Sequence, residues 1–105
     1  MSEVIEWAPF KLKAGVSEEA LLRASQQLQR EFLDRQAGFV SRRLLRSGDG
    51  SYVDMVVWAS QEEAASAMEV AAQSTTCSAY FALMGANHAD PGAGVTHLRQ
   101  LKLYE

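Results

Sequence analysis

The hydrophobic pattern of this chain turns on Tyr52 to Ser60, Tyr-Val-Asp-Met-Val-Val-Trp-Ala-Ser. This near-continuous apolar run, rich in β-branched and aromatic residues, predicts a central strand buried on both faces, because a half-exposed strand would alternate apolar with polar positions. A side-chain period of two puts Tyr52, Asp54, Val56 and Trp58 on one face and Val53, Met55 and Val57 on the other. The second set is purely apolar. The first carries a carboxylate, and an unsatisfied polar group buried there costs roughly 2–7 kcal/mol, so Asp54 must be paired, hydrogen-bonded or protonated. Upstream, Glu3 to Lys13 predicts a first strand with apolar residues on both sides, bulged or facing away from a partner at Pro9. Ser17 caps a helix that opens with Glu18 and Glu19 and runs to about Gln36, burying Leu21, Ala24, Ser25, Leu28, Phe32 and Leu33 before Gly38 ends it. Phe39 to Arg46 is a second strand, and Ser47-Gly48-Asp49-Gly50-Ser51 turns it into a hairpin with the third.

Ser60-Gln61-Glu62-Glu63 is a capping box. The helix it opens carries Ala64, Ala65, Ala67, Met68, Val70, Ala71 and Ala72, so its inner face is mostly methyl groups and either approaches the sheet closely or leaves space beneath. Ser74, Thr75 and Thr76 offer fresh caps for a short segment, Cys77 to Met84, closed by Gly85. Asn87 to Gly94 reads as a loop, and Val95 to Tyr104 as the last strand. The order is strand, helix, strand, strand, helix, strand. With right-handed crossovers this is an α+β, ferredoxin-like βαββαβ fold, a four-stranded antiparallel sheet with its helices on one face. Apolar side chains point to both faces of that sheet, so the helix-free face needs a cover, and a second copy of the chain supplies it most simply as a two-fold homodimer.

Composition narrows the class. The chain has 105 residues, 48% hydrophobic and 22% charged, which suits one globular domain over 1–105. A formal charge of -3 and a pI near 5.3 argue against a general nucleic-acid or anionic-membrane surface. No leader-like or membrane-spanning run is present, and the single Cys77 cannot form an internal disulfide, so the expected compartment is the cytoplasm. Arg42, Arg43 and Arg46 with Lys11 and Lys13 make either an anion patch or, more simply, long basic side chains guarding a sheet edge.

Three stretches then carry a resemblance: Gly15-Val16-Ser17-Glu18-Glu19, Gly38-Phe39-Val40-Ser41-Arg42, and Asp54-Met55-Val56-Val57-Trp58 followed by Ser60-Gln61-Glu62-Glu63-Ala64. Over nearly its whole length the chain resembles the dimeric α+β barrel superfamily, in particular the antibiotic-biosynthesis-monooxygenase-like group. That group includes cofactor-free monooxygenases of phenolic polyketides, haem-degrading enzymes and isomerases. The resemblance implies that Trp58 and Asp54 face a pocket between sheet and helices, with Val53, Met55 and Val57 at a dimer core. In the quinone-forming monooxygenases an asparagine stands four residues before the tryptophan and a tyrosine six after it; here those positions are Asp54 and Ala64. Haem-degrading relatives use an asparagine on the first strand and a histidine some ten residues past the tryptophan, where this chain has Ala8 and Met68, which argues against haem degradation.

Strand parity and the second helical region gather the candidate pocket: Glu6, Tyr52, Asp54, Trp58, Met68, Tyr80, Phe81, Met84 and His97. The aromatics and methionines also fit plain core packing, Asp54 fits a structural carboxylate held by Tyr52, an arginine or backbone, and His88 fits a surface loop. The catalytic reading makes Asp54 and His97 an acid/base pair beside Trp58, or with Glu6 a proton-handling cluster. Reaction of dioxygen with an electron-rich phenol then needs only deprotonation and a dry pocket, so neither metal nor cofactor is expected, and two histidines and one cysteine at these spacings make no zinc or iron site. The expected function is cofactor-independent oxygenation of an aromatic or phenolic molecule. The alternatives are a non-catalytic homodimeric module binding a small apolar or aromatic ligand, an isomerase-like enzyme of the same superfamily, and an inert module without a cavity.

Overall fold

Seven elements follow in chain order: β1 (Val4–Phe10), α1 (Glu18–Glu31), β2 (Phe39–Arg46), β3 (Tyr52–Trp58), α2 (Gln61–Ala71), α3 (Thr75–Phe81) and β4 (Thr96–Arg99). They are taken from a computed structural model that describes residues 2–85 and 94–105. The strands form one sheet in the order β2-β3-β1-β4 with every neighbouring pair antiparallel. This is the ferredoxin-like α+β arrangement, with β3 and β1 central.

Local chemistry explains the boundaries. The Ser17 side chain accepts a bond from the Ala20 amide, Ser60 one from Glu63 and Ser74 one from Cys77, so each of the three helices opens on a serine that satisfies a free amide. The Glu63 carboxylate accepts in turn from the Ser60 hydroxyl at 3.2 Å. α1 stops five residues before Gln36 because Phe32 leaves helical geometry, with φ -127°, and Leu33–Arg35 tightens into a 3-10 turn. Gly38 then takes φ 82°, and a β-carbon there would collide with the Glu63 side chain. In the hairpin, the Ser47 amide bonds the Ser51 carbonyl at 2.8 Å, while Asp49 Oδ1 accepts from the amide and hydroxyl of Ser51.

β1 is shorter than Glu3–Lys13. Its continuation survives as a bridge between Leu12 and Met84, and backbone bonds from Lys13 to Leu83 and from Gly85 to Lys11 tie the end of α3 to it. Pro9 sits in register opposite Val53 without a bulge, and the ladder to β4 has already ended at Trp7. β4 keeps only Thr96–Arg99 of the ten residues expected to be strand. β1 begins at Val4, opposite Arg99, and the pairing ends one bond further on, with the Gln100 amide on the Glu3 carbonyl at 2.9 Å; Leu101, Leu103 and Tyr104 are exposed. The short third helix begins at Thr75, two residues earlier than Cys77. The loop read over Asn87 to Gly94, including His88, lies outside the described residues except for Gly94.

Along β3, residues alternate between buried and half-buried, with Tyr52, Asp54, Val56 and Trp58 inward. Inward side chains join Phe10, Leu21, Leu28 and Phe32 in a core beneath the helices, where each fully buried large apolar side chain contributes roughly 1.5–3 kcal/mol. The outward face presents Val53, Met55 and Val57, half-buried, with Trp7, Leu45 and Leu98 at 37%, 38% and 47% exposure, so it is an apolar surface rather than a polar one. Arg42 does not belong to a surface basic patch: it turns inward, while Arg46 stays at the rim paired with Glu18 at 3.1 Å.

Candidate functional site

A cavity of about 80 Å³ lies between the inward face of the sheet and the helices. That is well above the 10–15 Å³ or so that admits one water. Its walls are apolar: Phe10 and Val56 from the sheet, Leu28 and Phe32 from the first helical region, Met68, Phe81 and Met84 from the second. The methyl groups of Ala67 and Ala71 on α2 also face it, and their small size is what leaves the room. Polar atoms come from Glu6, Arg42, Asp54 and Tyr80, together with the indole of Trp58.

Asp54 is tied down on both oxygens. Oδ1 accepts from Arg42 Nε at 2.9 Å and Oδ2 from the Tyr80 hydroxyl at 2.5 Å. The side chains of Arg42 and Asp54 are only 7% and 10% exposed, so this is a buried ion pair. Arg42 completes its contacts on the Ser25 carbonyl at 3.2 Å and the Tyr80 hydroxyl at 3.1 Å. Burial pulls the Arg42 pKa down, but the charge of Asp54, helped by Tyr80, more than offsets this and leaves it raised. The Tyr80 phenol is pushed far above its ordinary value, first by burial and then by Asp54, so it stays protonated and acts as a fixed donor.

Glu6 sits on β1, opposite Val56 on one side and His97 on the other. Its Oε1 accepts from Trp58 Nε1 at 3.2 Å and lies 3.7 Å from His97 Nε2, too far for a hydrogen bond and close enough for an ion pair once the imidazole is protonated. His97 Nε2 is buried and has no hydrogen-bond partner among the described residues. Burial raises the Glu6 pKa above 4.5, opposed by the His97 charge and the Trp58 N–H and reinforced by Asp54.

The structure brings Glu6, Asp54, Trp58, Met68, Tyr80, Phe81 and Met84 to the cavity. Tyr52 and His97 are not on its wall. The Tyr52 ring stacks on Phe10 with centroids 5.6 Å apart, and its hydroxyl donates to Glu18 at 3.0 Å. Asp54 and His97 do not form the expected pair, because β1 stands between β3 and β4: two strand spacings, roughly 9.6 Å, separate them across the sheet, and Asp54 opposes Ala8 while His97 opposes Glu6, two residues away along β1. Each has another partner: Arg42 with Tyr80 for Asp54, Glu6 for His97. Arg42 is the functional-site residue that sequence reasoning left at the edge. Counting back through the hairpin, Arg46 opposes Tyr52 and Leu44 opposes Asp54, so Arg42 lies on the same face, diagonal to Asp54. Cys77 also lines the cavity, with its thiol pKa raised by burial. Among the described residues, no group of three or more His, Cys, Asp or Glu side chains could hold a metal ion. No helix among them is long and apolar enough to cross a membrane.

No family model matches the chain, and no curated protein matches it. Solved structures do. SnoaB of Streptomyces nogalater, a cofactor-independent oxygenase, is 23% identical over 100% of this chain and 97% of its own, with a TM-score of 0.65. A Caulobacter crescentus protein named as a candidate antibiotic biosynthesis monooxygenase is 16% identical, covering 96% of this chain and 92% of its own, at 0.67. The fold is that of the antibiotic biosynthesis monooxygenases. A haem-degrading protein of Mycobacterium tuberculosis has it too, at 18% identity over 98% of each chain and a TM-score of 0.58. The monooxygenase fold thus matches end to end, at identities where the likeness is one of architecture.

Proposed function

We propose that this chain binds a small aromatic or phenolic molecule in the cavity beneath its helices and oxidises it with dioxygen, without a cofactor. The observation that supports the reading best is the cavity itself: apolar walls around a few convergent polar groups and an indole, the usual form of a small-molecule site. The fold shared with a cofactor-independent oxygenase supports it as well. For a phenol going to a quinone, the ring loses two hydrogens and four electrons. One oxygen atom enters the ring and the other leaves as water. Deprotonating the phenol raises the electron density enough for an electron to pass to dioxygen, which is the protein's contribution to the chemistry. In this reading Trp58 positions the ring, and Asp54 fixes Arg42 and Tyr80 around it.

An oxygen electrode tests this with a panel of monohydric phenols and naphthols. Uptake above a heat-inactivated control, one dioxygen per quinone formed, is the expected result; no uptake with any member refutes the reading. The full engagement of Asp54 by Arg42 and Tyr80 favours a second reading, a non-catalytic binding module. Thermal stabilisation by the same compounds without oxygen uptake would establish it, about 2.7 kcal/mol being expected at a hundred times Kd. In either case we place a second copy of the chain on the helix-free face, over Trp7, Met55 and Leu98. Sedimentation should give a dimer that Trp7→Glu converts to monomer; a monomeric wild type rules the assembly out.

A further inference from the structure

We propose that Glu6, and not Asp54, takes the proton from the bound phenol, with the neighbouring His97 as the group that relays the proton outward; this rests on the oxygenase reading above. Asp54 is badly placed for the task. Both of its oxygens already accept from fixed donors, Arg42 Nε and the Tyr80 hydroxyl, so accepting a proton would break a buried ion pair. Glu6 faces the same cavity, and the donor that orients it, Trp58 Nε1, belongs to the residue placed against the ring.

His97 Nε2 is buried, has no hydrogen-bond partner among the described residues, and lies 3.7 Å from Glu6 Oε1. The imidazole also belongs to the edge strand β4 and is 24% exposed, so it connects a cavity carboxylate to the outside. The charged and titratable groups around Glu6 are Asp54 from β3, His97 from β4, and, across the cavity, Arg42 from β2 with Tyr80 and Cys77 from α3. Arg42 and Asp54 neutralise one another, which leaves Glu6 and His97 as a pair able to hold one proton on either member.

The step balances simply. The phenol O–H bond breaks, its electron pair stays on the phenolate oxygen, and the proton bonds to a Glu6 carboxylate oxygen. It then passes to neutral His97 and leaves to water at the sheet edge; no electrons change hands between protein and substrate.

The test uses Glu6→Gln and His97→Asn in the oxygen-uptake assay, with quenching of tryptophan fluorescence by 2-naphthol as the binding readout. Glutamine still accepts from Trp58, so binding should hold within about threefold while kcat falls by about a hundredfold or more, in the range of lost general-base catalysis. The step needs Glu6 ionised and His97 neutral, and a proton on either one stops it; removing the imidazole leaves one place for that proton instead of two, so His97→Asn should move the acid limb of the kcat/KM profile to lower pH, an effect that a merely structural role would not produce. Wild-type uptake with Glu6→Gln within about threefold of it, or an acid limb unmoved in His97→Asn, overturns the assignment alone. Absence of uptake in the wild type overturns the oxygenase reading and this one with it.

Discussion

Replacing Asp54 by asparagine should unfold this protein far more readily than its near-identical shape suggests. The change keeps the volume and an acceptor for the Tyr80 hydroxyl but removes the charge that balances Arg42, whose side chain is 7% exposed. What remains around the guanidinium is neutral: the Ser25 carbonyl, the Gln29 side chain and the Tyr80 hydroxyl. Breaking one partner of a buried pair costs about 3–5 kcal/mol, because the survivor keeps its desolvation without its compensation. At about 4 °C per kcal/mol, the lower figure for small domains, that is a fall in Tm of roughly 12–20 °C. The control is Asp54→Asn combined with Arg42→Met, which removes both charges and should recover most of the loss, since an apolar replacement of a buried pair is often neutral or better. Urea unfolding followed by tryptophan fluorescence measures all three proteins. A loss below about 1 kcal/mol in the single variant, or a double variant no more stable than the single, refutes the argument that this pair is a charge balance.

Other expectations follow from the same contacts. Burial makes the folded state hold the Glu6 proton more tightly than the unfolded chain does, so its contribution to stability is present below pH 4.5 and is lost as pH rises through the raised folded value. Subtracting urea stabilities of Glu6→Gln from wild type across that range should show this decline, and a flat or rising difference contradicts it. Gly38→Ala should cost more than about 1 kcal/mol, because φ is 82° and the new methyl meets Glu63; an unchanged urea midpoint would disprove that account. Ala67→Leu should fill the cavity and weaken 2-naphthol binding by at least about tenfold while the fold persists, with unaltered binding as the contrary result.

Much of this architecture is legible from patterns of two and three to four residues. Alternation along Tyr52–Trp58 is enough to send Asp54, Val56 and Trp58 inward, because a strand leaves its side chains no other choice. Serines 17 and 60 mark their helices because a free amide needs an acceptor close by. The run of alanines after Ser60 marks the space under α2 for the same kind of local reason. The partners of the ionisable groups are harder to read, since they depend on which strands are neighbours. Arg42 is unremarkable on an edge strand until α1 closes over it and supplies the Ser25 carbonyl. His97 is assigned to Glu6 rather than Asp54 only once β1 is known to stand between. The end of β4 leaves no mark in Gln100 to Tyr104, because it is set by where β1 begins.

The shortness of β4 bears on how dry the cavity stays. Four paired positions hold β4 to β1, against seven between β1 and β3, and nothing in the sheet flanks it on its other side. Fraying is easiest at such a margin, and it can proceed while the helices remain packed. Each excursion would carry His97 away from Glu6 and admit water to the carboxylate, so the least anchored ribbon of the molecule sets how often its acid is wetted. Amide hydrogen exchange at Leu98 should accordingly outrun that at Val56 by orders of magnitude, and equal protection at the two would show the margin to be as firm as the centre.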